Sequence, residues 1–128
     1  MPDSKETFEA GMKVRREMFG AAGADDQIAN ATDFTRDMQD MVTRYCFGET
    51  WNRPPFDRRM RSILTIAMLV GLNRPNQLRV HIRGAIANGV HEDEIREILM
   101  HAMIYVGVPA SVDSFMHAAE ALKEVGRG

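Results

Sequence analysis

The sequence predicts an all-α fold: one helical bundle of about six helices, a single domain over residues 1–128, assembling into a homo-oligomer. Three observations lead there. Apolar residues recur at three- and four-residue spacing through most of the chain, the period of a helix. No alternating Val/Ile/Thr/Tyr run bounded by an Asn-Gly or Asp-Gly turn offers a strand. The pattern is interrupted at Gly20, Gly48, Asn73-Arg74-Pro75, Gly89 and Gly107-Val108-Pro109, residues that stop or start helices.

The first helix runs from Ser4, a suitable N-cap, to Phe19, with Phe8, Met12 and Phe19 near one side. Gly20 and the Ala-Ala-Gly-Ala-Asp stretch after it break the pattern. A second helix begins at Thr32 or Asp33, carries Phe34, Met38, Met41, Val42 and Tyr45, and ends at Gly48. Glu49 to Phe56 reads as irregular, because Pro54 and Pro55 lack donors and push Arg53 to extended geometry. Asp57 caps a third helix whose second half is apolar all round, which places it inside a bundle or an oligomer. Pro75 opens a fourth helix that ends at Gly89. His91-Glu92-Asp93-Glu94 puts acids in the first turn of a fifth, and Ser111 caps a sixth. Short connections make helices three to six antiparallel neighbours.

Composition narrows the function. The chain is 45% apolar and 27% charged, as globular domains are. Its 128 residues suffice to bury roughly two-thirds of the unfolded surface. The net charge is −2 with no block of one sign, which argues against nucleic acid and anionic membranes as partners. The N-terminal stretch carries acids throughout and does not read as a signal peptide. Ile63 to Leu72, the longest apolar run, is far below the roughly 20 residues that span a bilayer. A lone cysteine, Cys46, excludes an internal disulfide, a CxxC redox pair and a Cys-rich zinc site, and suits a reducing cytoplasm. There is no HExxH, and the His91–Glu94 cluster reads as a helix N-terminus, so no metal is expected.

His81 is the foremost candidate for chemistry. On the fourth helix, Gln77, His81, Gly84, Ala85 and Asn88 form a small or polar stripe beside the apolar Leu78, Ile82 and Ile86. Such a face leaves room for a ligand next to a group that titrates near neutrality. The plain alternative is a core histidine with one hydrogen bond. Glu97, His101 and Tyr105 stand one turn apart on the fifth helix and can touch, either facing the same pocket or as surface neighbours. Arg53, Arg58, Arg59 and Arg61 surround the proline loop, where they could hold a substrate carboxylate or pair with local acids. Trp51 suits a pocket wall or a core anchor equally, and Cys46 reads as a buried small hydrophobe.

Together these pieces resemble the carboxymuconolactone decarboxylase family, relatives of alkylhydroperoxidase D. The matching segments are Phe47-Gly48-Glu49-Thr50-Trp51-Asn52-Arg53-Pro54, Asp57-Arg58-Arg59-Met60-Arg61-Ser62 and Gln77-Leu78-Arg79-Val80-His81. They continue through Gly84-Ala85, Asn88-Gly89-Val90, Glu94-Ile95-Arg96-Glu97 and Tyr105-Val106-Gly107-Val108-Pro109-Ala110. The resemblance implies an alkylhydroperoxidase D-like helical subunit in trimers or hexamers, with pockets near subunit contacts. It also implies removal of CO2 from 4-carboxymuconolactone in the protocatechuate branch of aromatic catabolism, without cofactor or metal. In that role His81 is the catalytic proton donor, Arg61 holds a carboxylate, Tyr105 donates to the developing enolate oxygen, and Gln77, Trp51 and His101 complete the substrate site. One departure matters: the decarboxylases carry Glu at the position of Gln77, and peroxidase-type relatives carry their cysteine pair in that turn. Thiol peroxidase chemistry is thereby excluded. A catalytically silent binding or assembly protein of the same fold is the alternative.

Overall fold

The computed structural model describes residues 4–126, and every regular element among them is helical. The chain forms two compact units that divide between Arg58 and Arg59. No helix is long and apolar enough to cross a membrane among the described residues.

The first unit contains α1 (Lys5–Phe19), the short α2 (Asp25–Ala29) and α3 (Arg36–Met41). From α3 the chain widens without a break into a π-helix, Val42–Glu49, then tightens into a 3-10 turn, Thr50–Asn52. Ser4 caps α1 as expected, its hydroxyl accepting from the Thr7 N–H at 3.1 Å. α1 and the π-helix touch backbone to backbone through two glycines. A Cβ on Gly11 would sit 1.9 Å from the Thr43 carbonyl oxygen, and one on Gly48 would sit 2.3 Å from that of Thr7. Arg15 is buried in the same seam, and three acceptors satisfy it. Its Nε donates to the Gly23 carbonyl at 2.9 Å, and its Nη1 donates to Gln39 at 3.0 Å and Thr43 at 2.9 Å. Val14, Met18, Phe47 and Trp51 form the core of this unit.

Three expectations change here. The second long helix starts at Arg36 and not at Thr32 or Asp33, because Thr32 and Thr35 close a reciprocal turn first. Thr32 N–H donates to the Thr35 hydroxyl at 2.9 Å, and Thr35 N–H donates back at 3.3 Å. Gly48 does not end the helix, since the wide turns carry through to Glu49 and the 3-10 turn on to Asn52. The prolines bar helix only from Arg53 onward, and Asn52 Nδ2 takes up the carbonyls of Phe47 and Gly48 at 3.0 and 3.2 Å. Finally, the stretch after Gly20, expected to be irregular, holds a 3-10 turn (Ala21–Gly23) and α2.

The second unit is built from α4 (Arg58–Gly71), α5 (Pro75–Ala87), α6 (Glu92–Val106) and α7 (Val108–Glu124). Its topology follows from which residues meet. Arg59 pairs with Glu94 and Gly71 lies beside Val106, so α4 and α6 run the same way. Arg79 pairs with Glu120 and Arg83 with Glu124, so α5 and α7 also run the same way. Asn88, just past the end of α5, donates to Ser62 near the start of α4 at 2.9 Å, so those two are antiparallel. The result is an up-down-up-down bundle around Ile66, Val70, Leu78, Ile82, Ile95, Leu99 and Leu122. Gly89 follows α5 at φ +88, the conformation that the C′ position asks for. Glu94 caps α6 by accepting from the His91 N–H at 3.0 Å.

One expectation changes in this unit as well. Ser111 does not cap the last helix, which begins at Val108 with Pro109 in its first turn. Ser111 is buried against α6, its hydroxyl donating to the Leu99 carbonyl at 3.4 Å. The apolar second half of α4, expected inside a bundle or an oligomer, is enclosed within the single chain on one side alone: Ile66 and Val70 are fully buried, whereas Met68 and Leu72 stand exposed.

Candidate active site

His81 occupies the second turn of α5, half-buried, with its Nδ1 closed off from solvent. Burial pushes its imidazole down to about 4, so the ring is neutral at pH 7. The expected stripe around it divides by role. Gly84 and Ala85 are buried, Ala85 in the bundle core, Asn88 is spent on the α4 contact, and Gln77 stands exposed one turn before the imidazole.

The arginines sort equally clearly. Arg53 pairs with Glu49 at 3.0 Å, Arg58 with Glu17 and Arg59 with Glu94, so these three have acids as partners, the first local and the other two brought up by the fold. Arg61 is half-buried on α4, with its Nε shielded from solvent. Trp51 belongs to the core of the first unit, its ring 5.6 Å from that of Phe47 at 38°. Cys46 is half-buried nearby, and burial raises its thiol, which disfavours the reactive thiolate.

His101 and Tyr105 do meet: their rings lie 5.2 Å apart, tilted by 43°, and both are exposed on α6. His101 also lines an open groove of about 530 Å³ between α4 and α6. Ile63, Ala67 and Ala102 form its floor, and Asp93, Arg96 and Glu97 its rim. The lining does not include His81, Gln77, Arg61 or Tyr105. Sequence reasoning did not find this groove. Its signal was the pair of alanines, Ala67 and Ala102, which leave space between two otherwise bulky helix faces. Arg96, also on its rim, was not singled out either.

A recessed imidazole on a helix can take a proton from a substrate that excludes water beside it, or hand one over once it is itself protonated. Comparison with known proteins shows what the chain is similar to. The profile of the carboxymuconolactone decarboxylase family matches residues 36–124. The chain is 36% identical to a 4-carboxymuconolactone decarboxylase of Acinetobacter baylyi, over 97% of this chain and 92% of that one. It is 37% identical to a nitrosuccinic acid decarboxylase of Metarhizium robertsii, over 92% of this chain and 82% of that one. A match of this extent means that the chain belongs to the carboxymuconolactone decarboxylase family.

Proposed function

We propose that the chain is a carboxy-lyase that removes CO2 from 4-carboxymuconolactone or a similar small carboxylated lactone, with His81 delivering a proton to carbon. The observation that carries this reading is the recessed, neutral imidazole of His81 in a chain whose full-length relatives include two decarboxylases. The substrates those relatives are named for share one chemical feature. Each has a carboxylate whose departing CO2 leaves an electron pair that a neighbouring acceptor can take up, an unsaturated lactone in one and a nitro group in the other. The C–CO2 bond breaks, the pair delocalises into the acceptor, and a proton then joins carbon. The imidazole recovers its proton from solvent.

His81 must be protonated to act as the acid. Binding a carboxylated substrate beside it supplies the negative charge that favours the imidazolium. Arg61 anchors a second carboxylate, and Tyr105, Gln77 and His101 offer donors to the enolate-like oxygen. No organic cofactor or metal enters this scheme. The enzyme works as a homo-oligomer, a trimer or hexamer, in a reducing cytoplasm and in the breakdown of aromatic acids.

The test is CO2 release from 4-carboxymuconolactone and from nitrosuccinate by purified protein. The lactone is expected to be turned over, and His81→Ala to lower that turnover roughly 10²-fold or more. Equal rates for wild type and His81→Ala would remove His81 from the mechanism. Absence of CO2 with both compounds would instead favour a catalytically silent binding protein, the second reading that the exposed amide of Gln77 motivates.

A further inference from the structure

α6 and α7 run antiparallel, so the first turns of α6 lie against the last turns of α7. Along that seam α7 contributes the small side chains Ala118 and Ala119, and a cavity of about 230 Å³ remains between the two helices. Its apolar lining includes Ile95, Leu99, Ala118 and Leu122, all four buried in the bundle core. Phe115, half-buried, adds an aromatic ring. Neither His81 nor any other residue of the candidate site borders this cavity.

The charges beside it narrow the class of ligand. Three exposed charged side chains border the cavity, Glu92 and Arg96 from α6 and Lys123 from α7. Lys123 joins no ion pair among the described residues, and its neighbour Glu124 is taken by Arg79 and Arg83. Arg96 meets Glu97 loosely, at 3.8 Å from its Nε, which leaves the Nη side of its fork for a ligand. An apolar, partly aromatic lining with one cation from each helix suits a flat apolar body that carries a carboxylate. With Glu92 present the lining has one net positive charge, which a single carboxylate balances and a second would not. Size narrows the choice again: a helix about 10 Å across does not fit, whereas one ring with its carboxylate does.

We propose that the α6–α7 cavity is a second ligand site, separate from that of His81, for a small planar monocarboxylate of the aromatic-acid type. The ring lies among Leu99, Phe115 and Leu122, and Arg96 and Lys123 hold the carboxylate from opposite helices. Ring-on-ring contact with Phe115 favours an aromatic body over an aliphatic one of the same size. Occupation of this cavity leaves His81 open, so ligand and substrate can sit on one chain together.

Methyl-detected NMR titrations with benzoate, and with benzamide as its uncharged counterpart of the same shape, test this. The proteins are wild type, Lys123→Glu, Ala119→Phe and His81→Ala, each checked for helical signal by circular dichroism. Benzoate should shift the methyl signals of Leu99, Ala118 and Leu122 saturably, with a Kd on the order of 1 mM or tighter. Benzamide should bind about tenfold more weakly or worse, and Lys123→Glu should weaken benzoate by a similar factor. Ala119→Phe should remove the shifts by filling the cavity, and His81→Ala should leave them as in wild type. Ala119 and Lys123 are exposed, so neither substitution disturbs the core, and one folded variant of the two decides the matter. Equal affinity for benzoate and benzamide, or full affinity in a folded Lys123→Glu, would overturn recognition of the anion. Cavity methyls that ignore benzoate, whether the space stays empty or another chain already covers it, would overturn the site itself. So would shifts that vanish in His81→Ala, because the ligand would then occupy the catalytic site. None of these outcomes depends on whether the decarboxylase assay succeeds.

Discussion

A neutral His81 changes what the rest of its helix must do. With the imidazole pushed down to about 4, protonation for catalysis has to come from the site's charge and not from the ordinary titration of histidine. Gln77, one turn earlier on α5, can only orient by hydrogen bonds, because an amide neither exchanges a proton near neutrality nor carries charge. Gln77→Glu should therefore raise the His81 pKa and move the alkaline limb of the kcat/KM profile, where the acid loses its proton, upward by about one pH unit, the low end for a nearby opposite charge because the position is solvated. Turnover near pH 7 should rise with it. Full pH–rate profiles of wild type and variant check this, and an alkaline limb that stays put would show that charge at position 77 does not reach the imidazole. At this scale the sequence was legible where local partners decide. Arg53 meets its acid through i,i+4 spacing, whereas Arg58 and Arg59 meet theirs only through the fold. Trp51 was not legible, because a pocket wall and a core anchor ask for the same side chain, and only the packing of Phe47 against it distinguishes them.

Helices announce themselves by period, and each long one predicted is present, four of them with ends within a residue or two. The helix end misplaced at Gly48 has a distant cause. An i→i+5 turn differs from an i→i+4 turn by one residue, and what selects it in 42–49 is the approach of α1 to that stretch. Such a contact joins residues about 30 to 40 positions apart and leaves no local trace except two glycines. Those glycines yield a prediction. Gly11→Ala would drive a methyl to 1.9 Å from a backbone oxygen that no side-chain rotation can move away. Separation of α1 from the π-helix is the only relief, and it should cost about 3 kcal/mol or more. Gly71→Ala offers the opposite case, since its methyl would meet Val106 at ordinary contact distance, 3.6 Å, in a helix that favours alanine over glycine. It should change stability by no more than about 1 kcal/mol, in the stabilising direction. Urea denaturation of both variants checks the pair, and equal midpoints for the two would show that the α1 contact yields more easily than its geometry suggests.

Across the whole molecule the same imidazole sets activity and stability against each other. The up-down-up-down order of α4 to α7 was legible because connections of one to four residues allow little else. The burial of one ionisable group within that order was not, since it depends on packing. His81 titrates at about 4 in the folded chain and near the ordinary 6.5 when unfolded. Between those values the unfolded chain holds a proton that the folded chain lacks, so stability is lost as pH falls through that window and is unaffected above it. The full difference is about 3 kcal/mol, a substantial part of the 5–15 kcal/mol that holds an ordinary domain together. Net charge passes zero near pH 6.1, within the same window, so mutual repulsion between molecules is weakest as the fold weakens. Catalysis by a protonated His81 runs the other way, improving as the solution becomes mildly acidic. Initial rates should therefore climb from pH 7 toward pH 5 while the denaturation midpoint declines over the same range. His81→Gln keeps a polar side chain of similar reach but cannot titrate. It should abolish the climb in rate and flatten most of the decline in stability between pH 6.5 and 4. Rate profiles and urea midpoints measured on the same two proteins decide the point. A variant that loses stability over that window as steeply as wild type would mean that other groups, and not the buried imidazole, govern the response to acid.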